Sequence, residues 1–245
     1  MLPTFLHIGA PKCASTWLWR MCLEHPEVYA PPEADNVNFF LSTYHRGMQW
    51  YEETYFGAYA GEPVAGEFSN SYALSDLALE RIAADLPGVR LTLTVREPAE
   101  RAYINWAYEK RKRGWTPEQK VDIALAFHPN RWQFFRRWVE PSLYGAALQR
   151  LLRYFPRERL HVMFLDDLCA DPGEFLRSYF TFVGASTDFV PGILHQPVNG
   201  DREGEDVALC SDELRAELAA ATRSDVLLLQ KLTGRDLSHW INRYA

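Results

Sequence analysis

The sequence predicts an α/β fold, a single domain over residues 1–245 with a central, mainly parallel sheet flanked by helices and a P-loop-like turn. Three observations predict it. Short apolar runs bounded by Gly and Pro alternate with longer amphipathic stretches along the chain. No internal repeat or low-complexity linker interrupts that alternation. Three of the runs end in groups suited to a ligand, Gly9–Lys12, Glu67 and Arg96, and parallel sheets place ligands beyond the carboxyl ends of their strands. At 245 residues and 47% hydrophobic, with eight tryptophans, the chain is long enough to fill a core.

Taken in order, FLHI at 5–8 lies between Pro3 and the Gly9-Ala10-Pro11 turn and reads as a buried strand. Trp17, Leu18, Met21 and Cys22 then form a helical stripe, with Ser15 or Thr16 near its start and Pro26 beyond its end. VYAP is a second short strand, and the aromatic, turn-rich segment 31–61 reads as a cleft or lid. Strands follow at 63–68 (PVAGEF) and 89–96 (VRLTLTVR), separated by a helix at 74–88. Pro98 opens another helix, where its missing N–H is not needed. A mostly helical block covers 121–156, then a strand and turn at 159–168 and a helix at 171–184. The polar stretch 195–206 has no periodicity and reads as a loop; one or two helices and a short DLSHW tail close the chain.

Net charge is −6, which argues against a general nucleic-acid binder. The basic run EKRKRG at 109–114 is either a solvated helix end or help in holding an anion. Cysteines at 13, 22, 169 and 210 lack the spacing of a zinc site, so no metal is expected. No leader pattern is seen, and no apolar run approaches about 18 residues. The expectation is a cytoplasmic protein without membrane insertion; oligomeric state is open.

The chemistry concentrates at the strand ends. In GAPKCAST a strand-to-helix turn points N–H groups and a helix's positive end toward an anion, with Lys12 as a mobile cation and Ser15 and Thr16 as hydroxyl donors. This is not a Walker A motif. Lys12 precedes Ser15 by three residues, no second glycine is present, and the metal-binding hydroxyl is misplaced for ATP and Mg²⁺. Lys12 standing in solvent is the plain alternative. In TVREPAERAYINW, Arg96 leaves a strand end, and Arg101 and Asn105 share a helix face. Arg96 with Asn105 can grip a second anion, while Glu97 with Arg101 fits an ordinary surface pair. Two separated anion sites imply a ligand with phosphate-like groups at both ends.

These residues resemble the sulfotransferase family that uses 3′-phosphoadenylyl sulfate (PAPS). Its 5′ loop, PKxGTTxL, is matched by PKCASTWL at 11–18, with Ala14 and Ser15 in place of Gly and Thr. Its second motif, RxPxxRxxSxY, is matched by REPAERAYINW at 96–106, with Asn105 where Ser is common. Weaker echoes at Phe39-Phe40, 44–51, 66–72, 142–168 and the LTGRDLSHW ending extend the likeness over nearly the whole chain, toward bacterial members and, distantly, the glycosaminoglycan branch. The resemblance implies that Pro11, Lys12, Cys13, Ala14, Ser15, Thr16 and Trp17 hold the 5′-phosphosulfate and that Lys12 steadies the leaving group. It gives the 3′-phosphate to Arg96 and Asn105, and Asn199 and Arg202 close over the nucleotide. The products would be a sulfated acceptor and adenosine 3′,5′-bisphosphate (PAP), with no metal required.

Two departures bear on the acceptor side. The glycosaminoglycan branch carries its catalytic glutamate three residues before the FF pair, where this chain has Asn36, and Phe68 replaces a common lysine. The remaining candidates for the base are Glu67 and Asp35, then His45, with Glu33 also in the region. The aromatic 39–59 region favours a small acceptor bearing a hydroxyl, a phenol or alcohol; a carbohydrate is the nearest alternative. Two readings of other kinds compete. A nucleotide kinase with an irregular P-loop would prefer ATP and respond to Mg²⁺; a non-catalytic nucleotide-binding protein would bind PAP and transfer nothing.

Overall fold

The computed structural model describes residues 1–112, 114, 138–196 and 211–243. In chain order its elements are β1 (Phe5–His7), α1 (Ser15–Glu24), β2 (Val28–Tyr29), α2 (Met48–Phe56), β3 (Val64–Phe68) and α3 (Asp76–Asp85). They continue as β4 (Arg90–Val95), α4 (Pro98–Lys112), α5 (Tyr144–Leu151), β5 (Leu160–Phe164), α6 (Leu165–Ala170), α7 (Pro172–Val183), α8 (Asp212–Thr233) and α9 (Ser238–Asn242). Residues 121–137 of the expected helical block and 197–206 of the late loop, Asn199 and Arg202 included, fall outside the described residues.

The chain divides into two compact units, Met1–Val95 with Arg150–Val198, and Arg96–Gln149 with Asn199–Ala245. The first holds the whole sheet. Its five strands run in the order β2-β3-β1-β4-β5, and every strand pairing is parallel. A parallel sheet buried on both faces needs near-continuous apolar strands. VAGEF in β3 is buried at all five positions, and RLTLTV in β4 at all but Arg90. From β1 the chain moves to β2 and β3 on one side, whereas β4 and β5 lie on the other. The switch point therefore falls between β1 and β4, where such sheets receive ligands.

On one face, Trp17, Leu18, Met21 and Cys22 of α1 join Phe175, Leu176, Tyr179 and Phe180 of α7 around Phe5 and Phe68. The rings of Phe68 and Tyr179 meet Phe5 edge-on at 6.1 and 5.9 Å. His7 is fully buried beside Thr92, 3.0 Å from its hydroxyl, and burial pushes its pKa down to about 3, so the ring is neutral. Side-chain caps start two of the unit's helices: Ser75 accepts the Ala78 N–H and Asp171 the Glu174 N–H.

In the second unit, Ala99, Ala102, Tyr103 and Ala107 of α4 pack with Leu214 and Leu218 of α8. The Asp225 carboxylate on α8 accepts the N–H groups of Gly145 and Ala146, both at 2.8 Å, at the start of α5. Glu97 and Arg101 are not a surface pair. Glu97 is 3% and Arg101 0% exposed. The Arg101 guanidinium donates to the Ser142 hydroxyl and the Trp138 carbonyl, so two of its donors are taken up inside the unit.

Three helices were not expected: α2 inside the aromatic 31–61 segment, α6 where a turn was read, and α9 in the closing tail. Asp166 and Asp167 lie in the first turn of α6, where carboxylates favour the helix's positive end rather than a turn. Among the described residues, no helix is long and apolar enough to cross a membrane.

Gly66 sets the spacing of the central strands. It pairs with Phe5, and a Cβ built at Gly66 would lie 2.3 Å from that ring. Gly66→Ala is expected to destabilise the protein by about 1–3 kcal/mol through overpacking, measured as a fall in urea midpoint with an unchanged slope.

Candidate functional site

The loop after β1 is tied to the sheet before it turns away. The Ala10 N–H donates to the Thr94 carbonyl and the Thr94 N–H to the Gly9 carbonyl, both at 2.9 Å. Gly9 has φ +141°, and a Cβ there would stand 3.0 Å from the Asn70 carbonyl oxygen, so this position requires glycine. Lys12 and Ala14 have φ +68° and +64°. Left-handed backbone costs a non-glycine residue roughly 1–2 kcal/mol. Residues of this kind one apart curl successive N–H groups toward one side, which makes a concavity for an anion. Helix α1 starts at Ser15 with Ala14 as its cap residue, no side-chain cap bond and no acidic residue in its first turn. Its leading N–H groups are thereby left for whatever sits in the loop.

The expectation that Ser15 or Thr16 caps α1 is therefore corrected. Ser15 is buried, and the Thr16 hydroxyl donates instead to Asp35 Oδ2 at 3.3 Å. Cys13 is buried with its thiol 3.7 Å from the Pro11 carbonyl. The Trp17 ring lies in the core, edge-on to Phe175, so only its backbone is in a position to serve the loop. Pro11 and Lys12 are partly exposed.

A polar ladder joins segment 36–40 to segment 67–72. The Val37 N–H donates to the Phe68 carbonyl (2.9 Å), Asn38 N–H to the Ser69 hydroxyl (2.8 Å), and Phe40 N–H to the Tyr72 hydroxyl (3.1 Å). Asn36 Oδ1 accepts the Asn70 N–H at 3.1 Å. Asn36 thus spends its carbonyl on the backbone of the same stretch that meets Gly9. Ser69 in turn donates to Glu67 Oε1 at 3.3 Å.

Glu67 is fully buried, and desolvation pushes its pKa up to about 8, against the pull of the Tyr72 and Ser69 hydroxyls. It is protonated at neutral pH. Tyr51, stacked on Phe39 at 4.3 Å, and Tyr55 feel its charge when it ionises. The strand-end position was legible; the enclosure was not. His45 and Glu33 are exposed, His45 in the turn Tyr44–Arg46. Asp35 is also exposed, and its hydroxyl partner is on α1.

In the second unit, Arg96 follows β4 directly, and its guanidinium stands 3.7 Å from Glu100, which also pairs with Arg243 at 2.7 Å. The Glu97 carboxylate accepts the Ala99 and Glu100 N–H groups and so caps α4; burial pushes its pKa up. Asn105 is partly buried on α4. Arg101 is taken up by Ser142 and Trp138, a structural role that its motif position did not reveal. Asn70 and Ser69 were not anticipated as part of the site. Their signal lay in GEFSNSY, whose small polar residues follow the strand end.

No protein-family model matches the chain. It is 28% identical over 195 residues to the human bifunctional heparan sulfate N-deacetylase/N-sulfotransferase 2, over 75% of this chain and 22% of that protein. It is 29% identical over 177 residues to human heparan sulfate glucosamine 3-O-sulfotransferase 5, over 70% of this chain and 50% of that one. The chain thus spans half or less of the length of these curated relatives. The crystal structure of a sulfotransferase from Alicyclobacillus acidocaldarius superposes with a TM-score of 0.80 at 26% identity, covering 98% of this chain and 99% of that one. The sulfotransferase domain of the curacin biosynthetic pathway superposes at 0.55 with 16% identity, over 82% and 80% of the two chains, a likeness of fold alone. The protein has an α/β fold with a central parallel sheet, and that fold is of the sulfotransferase type.

Glu67 gives a pH-dependent prediction. Its folded pKa of about 8 lies above the ordinary 4.5. Stability from holding the proton is complete below about pH 4 and is lost as pH rises toward 8, because only the unfolded chain has released its proton there. Glu67→Gln is expected to gain stability relative to the parent between pH 5 and 8, by about a few kcal/mol at most, with no gain at pH 4. Urea denaturation at three pH values measures it; a gain independent of pH would contradict the buried, protonated carboxyl.

Proposed function

We propose that the protein moves a sulfo group from PAPS to the hydroxyl of a small organic acceptor, a phenol or alcohol, and releases PAP. The observation that carries this reading is the loop after β1. Left-handed Lys12 and Ala14 and the uncapped start of α1 offer a cradle of backbone donors and one cation, fitted to a compact anion and lacking the Walker spacing that ATP with Mg²⁺ uses. The fold likeness to sulfotransferases supports the same donor.

When bound, the donor supplies a sulfo group on a phosphate leaving group. The N–H groups of residues 13–16 and the 15 and 16 hydroxyls hold the 5′ end, with Pro11 and the Trp17 backbone framing the turn. The Lys12 ammonium meets charge that develops on the bridging oxygen. Arg96 and Asn105 take the 3′-phosphate, with a guanidinium fork suited to it. Asn199 and Arg202 are assigned to closing over the nucleotide. The reading places the reaction in the cytoplasm, in one domain, with neither nucleic acid nor membrane as partner.

A carbohydrate hydroxyl is the second reading of the acceptor. The names of the relatives favour it, since both act on heparan sulfate. Asn36 and Phe68, where that branch carries charged residues, favour the smaller acceptor.

Lys12→Ala is expected to lower labelled-sulfo transfer from PAPS at least about 100-fold, the usual loss when one donor to a developing oxyanion is removed. A panel of phenols, sugars and lipid alcohols serves as acceptors. Turnover retained in the variant would remove the role given to this lysine.

A further inference from the structure

Resting on that reading, we infer that Asp35 is the base for the acceptor hydroxyl, and that occupancy of the loop releases it for this task. The residue at the position of the lost glutamate, Asn36, cannot accept a proton at neutral pH, and its Oδ1 is held by the Asn70 N–H. Glu67 already carries a proton at neutral pH and is closed off from any acceptor. His45 is on the Tyr44–Arg46 turn, and no hydrogen bond joins it to the loop among those described. Asp35 differs on each count. It is exposed, and its carboxylate receives the hydroxyl of Thr16, the second residue of α1 and four past Lys12.

A hydroxyl has one hydrogen to give. While the loop holds no anion, Thr16 gives it to Asp35. A phosphate oxygen in the cradle competes for that hydrogen, and the carboxylate that loses it faces the acceptor with a stronger appetite for a proton. The other charged groups on these two segments are Lys12 and Glu33. In the transfer, the acceptor oxygen bonds to sulfur as the bond between sulfur and the bridging phosphate oxygen breaks. The electron pair stays with PAP, the acceptor's proton passes to Asp35, and solvent removes it from this exposed carboxylate.

The test compares the parent protein with Asp35→Asn and Asp35→Glu in two arms. In the first, PAP is titrated calorimetrically at mildly acidic pH in buffers of different ionisation heat, which counts protons taken up on binding. The parent is expected to take up more than Asp35→Asn at similar PAP affinity, because an anion beside the carboxylate favours its protonated form. Equal counts overturn the assignment, and this arm decides alone if no phenol is accepted. In the second, transfer is followed over phenols of graded acidity. Asp35→Asn is expected to lose about 100-fold or more in kcat with phenol and under about tenfold with 4-nitrophenol, which ionises without help. Asp35→Glu is expected to recover part of the loss. A loss uniform across the series, or below about threefold, overturns the base assignment while leaving the sulfotransferase reading intact. A parent protein that does not bind PAP overturns both.

Discussion

The structure depends on how the chain leaves β1. For three residues past the strand the backbone stays bonded to β4, from Ile8, Gly9 and Ala10 to Thr92 and Thr94, and then it turns through left-handed residues at Lys12 and Ala14 into α1. Two non-glycine residues in that region together cost roughly 2–4 kcal/mol. Such backbone persists only where the surroundings over-determine it. Here the surroundings are the sheet bonds on one side, the buried Cys13 within the turn and the packed Trp17 and Leu18 on the helix that follows. The result is a helix start at Ser15 with no side-chain cap bond, the local condition on which the proposed anion contact rests.

The same rim is braced from β3. Segment 36–40 hangs from residues 68–72 by four hydrogen bonds, and Asn70 closes on Gly9. Segment 36–40 and the loop after β1 therefore share a support within unit one. Asn36 belongs to that support, its amide oxygen accepting the Asn70 N–H. Charge at this rim then comes from Lys12 and from the neighbouring Asp35, one residue away from where the glycosaminoglycan branch keeps it.

Strands were legible because apolar runs such as FLHI, VAGEF and RLTLTV are bounded by Gly, Pro or charge, and their parallel pairing follows from the intervening helices. The turn after β1 was legible from Gly9, Ala10 and Pro11 between an apolar run and a helical stripe, while nothing in the residue types foretold that Lys12 and Ala14 are left-handed. Burial was harder to read. Glu67 and Arg101 belong to types that are rarely enclosed, and nothing local in GEFSN or PAERAY announces the tyrosines or carbonyls that enclose them. The ladder from 36–40 to 67–72 spans some thirty residues of sequence, so no spacing rule reveals it. Helix α2 was hidden by the aromatics in QWYEETYF, whose rings at 50, 51, 55 and 56 fall in a segment otherwise read as aromatic and turn-rich.

At the centre stands the proposed donor, a nucleotide with phosphate at both ends rather than a triphosphate with metal. The most direct measurement is a competition titration of PAP, adenosine 5′-phosphate and ATP with Mg²⁺ against the same protein. The account predicts that PAP binds without added metal, and tighter than either rival by at least about tenfold, the effect of roughly 1.4 kcal/mol from the second phosphate. ATP with Mg²⁺ binding as tightly as PAP, or PAP no tighter than adenosine 5′-phosphate, would contradict it.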